Sequence, residues 1–325
     1  MTSRTFHQDI VPAQQPVVMR GLTAEWPLVK AGMQSAQSLA TYIRRFDRGG
    51  ELPAMLAPPS ANGRFFYNAD LSDFNFQATA TRLGPALDFI LAQSSDDPAP
   101  AFAVQSAPVR SALPGFEAEN ALPLLSPAVE PRIWIGNKAI VAAHHDQSEN
   151  IACVGAGRRR FTLFPPDQVA GLYPGPFERT PAGAIISMVD FDAPDLARFP
   201  RFGEAMAHAQ VAELAPGDAI YIPYMWWHHV ASLDRLNLLV NYWWSPPNQE
   251  RGEARDAFLH ALLALRALSP EHRQAWRALF DHFVFEDDGP AGAHLPPARL
   301  GILGRLDPEL LRELKASLAR AVSRS

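Results

Sequence analysis

The sequence lacks the residues and segments on which several kinds of protein depend. It has a single cysteine, Cys153, so it can form neither an intrachain disulfide nor a thiolate metal cluster. Any metal must therefore be held by histidine and carboxylate ligands. No run approaches the roughly 18 apolar residues of a membrane span, and the N-terminus contains no apolar segment of signal-peptide length. We therefore expect a cytoplasmic protein with no membrane partner.

An excess of positive charge is also missing. The chain has 29 Lys and Arg against 34 Asp and Glu, a net charge of -5. Proteins that track a phosphate backbone carry basic surfaces, so this balance makes a nucleic-acid partner an unlikely one. What the chain has instead is apolar residues, 47% of 325, enough to bury a large core.

The middle of the chain has the pattern of short β-strands separated by Gly, Pro and Asp turn signals. These β-rich runs are 132–146, 150–166, 184–192, 209–224 and 235–244. Residues 36–46 and 81–93 instead carry apolar positions at helical spacing. We predict a mainly β protein with flanking helices, in which residues 1–246 form a sandwich or barrel with helices outside it.

After residue 246 the pattern becomes helical. Residues 254–268, 271–285 and 308–322 are rich in Leu, Ala and Phe, and Asp307 is placed as the N-cap of the last helix. We predict a C-terminal helical region over 247–325. It either packs on the barrel or forms the interface of a homodimer.

Two histidine pairs near strand ends predict a metal site. In HHD, residues 144–146, alternation along a strand points His144 and Asp146 the same way and His145 the opposite way. Either His228 or His229, in the run WWHH, would supply a third ligand. Two histidines and one carboxylate with open positions opposite them are the ligand set of non-haem Fe(II) oxygenases. Zinc is the competing metal, but a tetrahedral zinc site needs no position for a co-substrate.

The run GRRRFTLFPP, residues 157–166, predicts a buried cation between these two elements. Alternation places Arg159 on the same face as Phe161 and Leu163, and Arg158 and Arg160 on the other. A buried arginine is costly unless an anion pairs with it, and its planar guanidinium suits a carboxylate. The alternative is that all three arginines lie along a solvated edge strand.

In combination, these motifs resemble a known family. In chain order they are HHD (144–146), Asn150, GRRRFTLFPPDQ (157–168), SMVDFDAPDLARFP (187–200), APGDAIYIPYMWWHH (215–229) and LVNYWW (239–244), preceded by QPVVMRGLTAEWP (15–27). Over about residues 15 to 245 the chain resembles the JmjC-type cupin-like oxygenases, and among them the asparaginyl hydroxylases of the factor-inhibiting-HIF type. The C-terminal helices are also similar to the dimerising appendage of those hydroxylases.

The resemblance implies a double-stranded β-helix of the cupin or jelly-roll kind that uses Fe(II), 2-oxoglutarate and O₂ to hydroxylate a substrate. Carried over by position, the metal ligands are His144, Asp146 and His228, whereas His145 and His229 fall at positions that are not ligands. The cofactor-binding residues implied by the resemblance are Arg159, where the family usually has a lysine for the distal carboxylate of 2-oxoglutarate, together with Asn150 and Asn241. The candidates implied for the substrate pocket are Trp243, Gln105, Ile185 and Ile186.

Departures from the family pattern concern both the co-substrate and the substrate. Two hydroxyl-bearing residues that contact 2-oxoglutarate in the hydroxylase are replaced by Val141 and Ala103, and Tyr67 is a candidate to compensate. The Arg-Gln pair that clamps the hydroxylase's substrate is replaced by Ile185 and Ile186. Because an amide would be left unpaired against isoleucine, we predict a target less polar than asparagine, either a peptide side chain or a small molecule.

The sequence is compatible with three functions. The first is an Fe(II)- and 2-oxoglutarate-dependent hydroxylase. The second is a non-catalytic cupin-like metal-binding or interaction module, since two hydroxyls that bind 2-oxoglutarate are missing. The third is another metal cupin, such as an isomerase, but those sites commonly use an H-x-H pair followed by Glu. The H-x-D pair of this sequence favours the hydroxylase.

Overall fold

The computed structural model describes residues 1–93, 99–181, 183–245 and 252–323. The chain divides into two compact units, Met1–Pro246 and Pro247–Ser325. The boundary predicted at 246/247 lies outside the described residues.

The first unit is built mainly from β-strands. They are β1 (Val17–Met19), β2 (Glu51–Ala57), β3 (Arg64–Phe65), β4 (Gln77–Arg82), β5 (Ala101–Pro108), β6 (Pro131–Gly136), β7 (Ile140–His144), β8 (Glu149–Ala156), β9 (Arg159–Phe164), β10 (Gln210–Leu214), β11 (Ala219–Ile222), β12 (Trp227–Ser232) and β13 (Asn237–Trp244). Four of the five predicted β-rich runs contain strands. The turns inside 150–166 and 209–224 fall at Gly157 and at the Pro-Gly-Asp of residues 216–218 as expected, whereas the turn inside 132–146 falls at Asn137 and Lys138.

Two sheets form a double-stranded β-helix of the cupin or jelly-roll type. The larger has the order β1-β11-β8-β13-β6-β5-β2-β4 and the smaller the order β10-β9-β12-β7-β3. All neighbours are antiparallel except β3 and β7. Side chains from both sheets meet in an inner core that includes Val154, Phe161, Leu163, Ile220 and Val230. This inner face is where the candidate site lies.

The helices of this unit pack outside the sheets, as predicted. They are α1 (Ser3–Thr5), α2 (Pro27–Gln34), α3 (Ala36–Arg44), α4 (Leu83–Ala92), α5 (Val109–Ala112), α6 (Phe116–Glu119), α7 (Val169–Leu172) and α8 (Phe202–Ala207). Leu28, Leu39 and Leu87 pack with the outward residues Ile151 and Leu238 of the larger sheet. On the outer face of the smaller sheet, Leu172 and Phe202 pack against Phe164 and Trp227.

The turn between β8 and β9 fixes which way the arginines of β9 point. Gly157 has a φ of +68°, and a Cβ there would lie 2.6 Å from the carbonyl oxygen of Leu236, so glycine is required on both counts. The strand that follows pairs Arg159 with Ser232 and Leu163 with His228. Its side chains therefore alternate between the inner core and the outer surface in register with β12.

The prediction of a strand over residues 184–192 is wrong. Only Ile186 and Ser187 make isolated bridges there, with His144 and Pro174. The Asp190 carboxylate accepts hydrogen bonds from the backbone N–H of Asp192 (3.0 Å) and of Ala193 (3.4 Å). A side chain that bonds its own backbone two residues on favours a turn over a sheet ladder, so the apolar run stops short of a strand.

The second unit is helical. It contains α9 (Ala254–Leu265), α10 (Pro270–Phe280) and α11 (Pro308–Val322), and a π-helical turn, Asp281–Phe285, follows α10 directly. Asp307 caps α11 as predicted, since its side chain accepts from the backbone N–H groups of Glu309 and Leu310. None of the three helices contains a buried residue.

Among the described residues, no helix is both long enough and apolar enough to cross a bilayer.

Candidate metal centre

Three side chains converge at one end of the inner face. His144 ends β7, Asp146 follows two residues later, and His228 lies on β12 directly opposite His144. One ligand atom from each lies within 4.8 Å of the others. The Nε2 of His228 is 3.5 Å from Oδ2 of Asp146, and the two imidazole centroids are 4.2 Å apart. Two nitrogens and one oxygen therefore face a common point.

Hydrogen bonds fix the orientation of both imidazoles. The Nδ1 of His144 lies 2.9 Å from the carbonyl oxygen of Ala142, and that of His228 lies 3.1 Å from the carbonyl oxygen of Trp226. A carbonyl only accepts, so each Nδ1 carries a hydrogen, and in the neutral ring Nε2 then presents its lone pair. Burial, reinforced by His144, lowers the pKa of His228 to about 4, although Asp146 opposes the shift. His228 is thus neutral at neutral pH, as a metal ligand must be.

Asp146 lies just beyond the strand on which we placed it, since β7 ends at His144. Its position is set by two contacts instead. Trp243 donates from Nε1 to Oδ2 of Asp146 at 3.2 Å, and the backbone N–H of Met225 donates to the Asp146 carbonyl at 3.0 Å. Met225 has a φ of +63°, an unusual conformation for a residue other than glycine. The loop between β11 and β12 therefore holds the backbone of Asp146, and Trp243 orients its carboxylate.

The second histidine of each pair faces away from this cluster. The ring of His145 meets Trp227 edge-on at 4.6 Å, and the ring of His229 stacks on Phe191 at 4.5 Å. Burial, reinforced by Arg64, lowers the pKa of His229 to about 4, and burial together with His144 lowers that of His145. Both belong to the packing on the outer face of the smaller sheet.

Arg159 is a buried cation to which the described residues offer no anion. It is 7% exposed and lies on the inner face with Phe161 and Leu163, and its Nε has no hydrogen-bond partner among the described residues. Burial lowers its pKa to about 10, so it remains charged at neutral pH. The outward arginines of the same strand are paired, Arg158 with Asp234 at 2.9 Å and Arg160 with Glu213 at 2.7 Å. The run is not a wholly solvated edge, and the inward arginine fits a bound carboxylate.

Asn150 and Asn241 form a polar row on the larger sheet. The Nδ2 of Asn241 donates to Oδ1 of Asn150 at 3.2 Å, and Nε1 of Trp134 donates to Oδ1 of Asn241 at 2.8 Å. Both asparagines are buried. Trp134 is not among the predicted site residues, although its alternation with Ile133 and Ile135 places it on the inner face.

Of the candidates for the substrate pocket, Ile186 and Trp243 contact residues of the triad. Ile186 is buried, bridges to His144 and packs with Tyr67 and Ala142, so it forms an apolar wall beside the ligand. Ile185 is half-buried next to it. Trp243 contacts Asp146 as described above. Gln105 is half-buried on β5, where the pairing with β6 is interrupted by a bulge.

Neither the two departures, Val141 and Ala103, nor the candidate to compensate for them, Tyr67, contributes a free hydroxyl among the described residues. Val141 packs at the inner core, and Ala103 packs on a separate apolar cluster with Phe65 and Phe76. The hydroxyl of Tyr67 donates to the carbonyl oxygen of Arg179 at 2.6 Å. Tyr67 is therefore close to the site, but its hydroxyl already has a protein partner.

Comparisons with known proteins agree with this architecture. A family model described as a cupin-like domain matches residues 3–250. HSPB1-associated protein 1 of Homo sapiens is 33% identical over 153 residues, which are 45% of this chain and 30% of the human protein. Its Danio rerio homolog is 26% identical over 277 residues, 79% of this chain and 58% of that protein. Lysine-specific demethylase 8 of Xenopus tropicalis is 27% identical over 248 residues, 74% of this chain and 50% of that protein.

The matched region spans less than two thirds of each of these three relatives.

Proposed function

This chain belongs to the cupin-like domain family of the JmjC type, and from that premise we propose that it is an Fe(II)- and 2-oxoglutarate-dependent oxygenase. The observation that carries the proposal is the pairing of two features on one inner face. Two imidazole nitrogens and a carboxylate converge within 4.8 Å, and the unpartnered cation Arg159 lies on the adjacent strand of the same sheet. The first suits ferrous iron, and the second suits the distal carboxylate of 2-oxoglutarate.

When bound, Fe(II) and 2-oxoglutarate supply the oxidation of a C–H bond by O₂, coupled to decarboxylation of the co-substrate to succinate and CO₂. In this proposal His144, Asp146 and His228 would hold the iron. Arg159 binds and orients the co-substrate from the inner core, where Phe161 and Leu163 exclude water. Asn150 and Asn241 order the polar wall opposite, and Trp243 fixes the carboxylate of Asp146.

We propose that the substrate carries a less polar group to the metal than asparagine does. Ile186 packs with Ala142 and bridges to His144, so it places hydrocarbon beside the ligand. A substrate amide against this wall would lose its hydrogen bonds to water without replacement. A peptide side chain or a small molecule with an apolar reacting group fits better, and the name of the demethylase relative supports a protein substrate.

A non-catalytic metal-binding module is the second candidate. It is favoured by the hydroxyls missing at Val141 and Ala103 and by the engagement of the Tyr67 hydroxyl with Arg179. In that case the triad would bind a metal while 2-oxoglutarate would bind too weakly for turnover.

One titration separates the two candidates. Protein loaded with Fe(II) is titrated anaerobically with 2-oxoglutarate, and the visible charge-transfer band of the chelate is recorded for the wild type and for Arg159→Ala. A band that is weakened in Arg159→Ala supports the oxygenase. Iron that binds without any band at millimolar 2-oxoglutarate supports the module instead.

We further propose that the C-terminal helices pair two copies of the chain. In the described part of this unit Ala291 is the sole buried hydrophobic residue, while Leu263, Trp276 and Val284 are exposed by 79%, 45% and 61%. A unit with so little core of its own gains stability by burying this surface against another molecule.

A further inference from the structure

Arg132 is a second cation on the inner face, and it lies on the sheet opposite Arg159. It is on β6, directly across from Asn241 of β13, so both side chains point to the same face. The neighbours Ile133 and Ile135 face the outer core, which agrees with this orientation. Arg132 is half-buried.

Its guanidinium shares a contact with one of the proposed metal ligands. The Cζ of Arg132 is 5.9 Å from the ring centroid of Trp243, and the same indole donates to Asp146. One aromatic ring therefore connects the cation with the carboxylate of the triad. Since Trp243 contacts both Arg132 and Asp146, a group bound by Arg132 would share this ring with the triad.

The β5–β6 bulge holds this arginine but leaves part of it free. Nη1 donates to the carbonyl oxygen of Ser106 at 2.9 Å and to its hydroxyl at 3.3 Å. Ser106 has a φ of +46° within the bulge between Val104 and Ala107, a feature that re-aims side chains near active sites. Among the described residues, Nε and Nη2 have no hydrogen-bond partner, and no carboxylate lies within 4.0 Å.

We propose that Arg132 binds a carboxylate of the substrate, so that the substrate is an acid whose apolar part reaches the metal. The proposal rests on the proposed function. Arg159 and Arg132 face the interior from different sheets, so co-substrate and substrate each have one arginine for one carboxylate. The free Nε and Nη2 offer the two-pronged contact that a planar carboxylate prefers. The carboxylate is either a terminal one, as in a chain end or a small acid, or that of an acidic side chain.

The test uses the full chain loaded with Mn(II) in place of iron and saturated with 2-oxoglutarate without O₂, so that the Arg159 site is filled. Paramagnetic broadening of probe methyl resonances then reports binding near the metal. One pair of probes is N-acetyl-leucine and N-acetyl-leucinamide, which differ in a terminal carboxylate. The other is acetyl-Leu-Asp-amide and acetyl-Leu-Asn-amide, which differ in a side-chain carboxylate.

We expect at least one acid to broaden at about tenfold lower concentration than its amide, the effect of one charge-assisted contact. Arg132→Gln should abolish the preference, Arg132→Lys should keep part of it, and Arg160→Gln, which removes an outward arginine, should leave it unchanged. The pair that responds identifies the source of the carboxylate.

Equal broadening by acid and amide in both pairs overturns the proposal, as does a preference that survives Arg132→Gln. Loss of 2-oxoglutarate binding in Arg132→Gln also overturns it, because the arginine would then belong to the co-substrate site. Electron paramagnetic resonance monitors the binding of Mn(II) and of 2-oxoglutarate to the wild type. If the wild type fails to bind either of them, the proposed function itself is wrong.

Discussion

His228 and His229 are neighbours in sequence but occupy opposite sides of one sheet. The Nε2 of His228 lies 3.5 Å from Asp146 on the inner face, whereas the ring of His229 stacks on Phe191 at 4.5 Å on the outer face. The pleat of β12 alone accounts for the difference. Adjacent residues of the same type thus provide a test of the ligand assignment.

We predict that His228→Ala weakens metal binding by more than about 100-fold. Loss of a residue that only hydrogen-bonds to a metal ligand typically costs about 10- to 100-fold, and loss of the ligand itself should cost more. His229→Phe keeps the aromatic stack on Phe191 and should bind metal as the wild type does. Calorimetric titration with Mn(II) measures both affinities. Equal weakening in the two variants would contradict the assignment of His228 as the ligand.

A second prediction concerns the indole that orients Asp146. Trp243→Phe removes the 3.2 Å hydrogen bond from Nε1 to Oδ2 but keeps an aromatic ring at that position. We expect metal affinity to fall by about tenfold, because hydrogen bonds from neighbouring side chains align the metal ligands. The matched control is Trp134→Phe, whose Nε1 donates to Asn241 instead of a triad residue. An equal loss of affinity in Trp134→Phe would argue against a specific role for the Asp146 contact.

Much of the site follows from strand alternation in the sequence. The period of two separates His144 from His145 and Arg159 from Arg158 and Arg160, and the structure has the same separation. The contacts across strands could not be derived in this way. Trp134 reaches Asn241, and Arg132 reaches Trp243, because of the register between β6 and β13, which no local pattern determines.

The differences between the predicted and the observed strands have local physical causes. Residues 184–192 resemble a strand in composition, yet the Asp190 side chain turns the backbone. The N-terminal strands β2, β4 and β5 were not predicted. β2 contains Pro53 and no β-branched residue, so its composition does not favour a strand although burial alternates over its first four residues, and β4 has no buried face.

A third prediction concerns pH and the turn between β10 and β11. Burial raises the pKa of Asp218, but hydrogen bonds from the backbone of Gly21 and Ala215 and the contact with Arg20 outweigh it, so the pKa lies below its ordinary value of 3.8. A depressed carboxyl pKa stabilises the fold above about pH 4, and this contribution is lost as pH falls through the folded-state pKa. Asp218→Asn should therefore lower the free energy of unfolding by about 1 to 3 kcal/mol at pH 7.

The difference between wild type and Asp218→Asn should shrink in urea denaturation experiments below about pH 4. Asp73→Asn removes an exposed ion pair with Arg179 and should change stability by less than about 1 kcal/mol. A difference for Asp218→Asn that stays constant between pH 7 and pH 3 would show that its charge does not stabilise the fold.

A fourth prediction concerns the C-terminal unit. We expect the full chain to sediment as a dimer and Trp276→Glu to sediment as a monomer, because a charge would replace an indole within the surface that the second copy covers. Arg305→Glu also adds negative charge but removes no apolar surface, so it should remain dimeric. A wild-type chain that is monomeric at micromolar concentration would contradict the pairing.

The last prediction is that Arg159 lowers the stability of the protein free of co-substrate. Its guanidinium is 7% exposed and its Nε is unpartnered, so the fold bears a desolvated charge that only a bound anion neutralises. Arg159→Met keeps a long side chain without the charge. It should raise the free energy of unfolding by roughly 1 kcal/mol or more without 2-oxoglutarate, measured by urea denaturation.

The same variant should lose the stabilisation that 2-oxoglutarate gives the metal-loaded wild type, because that increment depends on binding to the folded state. Arg160→Met, which breaks the exposed pair with Glu213, should gain no stability and should still respond to 2-oxoglutarate. If Arg159→Met were less stable than the wild type and still stabilised by 2-oxoglutarate, Arg159 would be a structural cation, and the co-substrate would have to be held elsewhere.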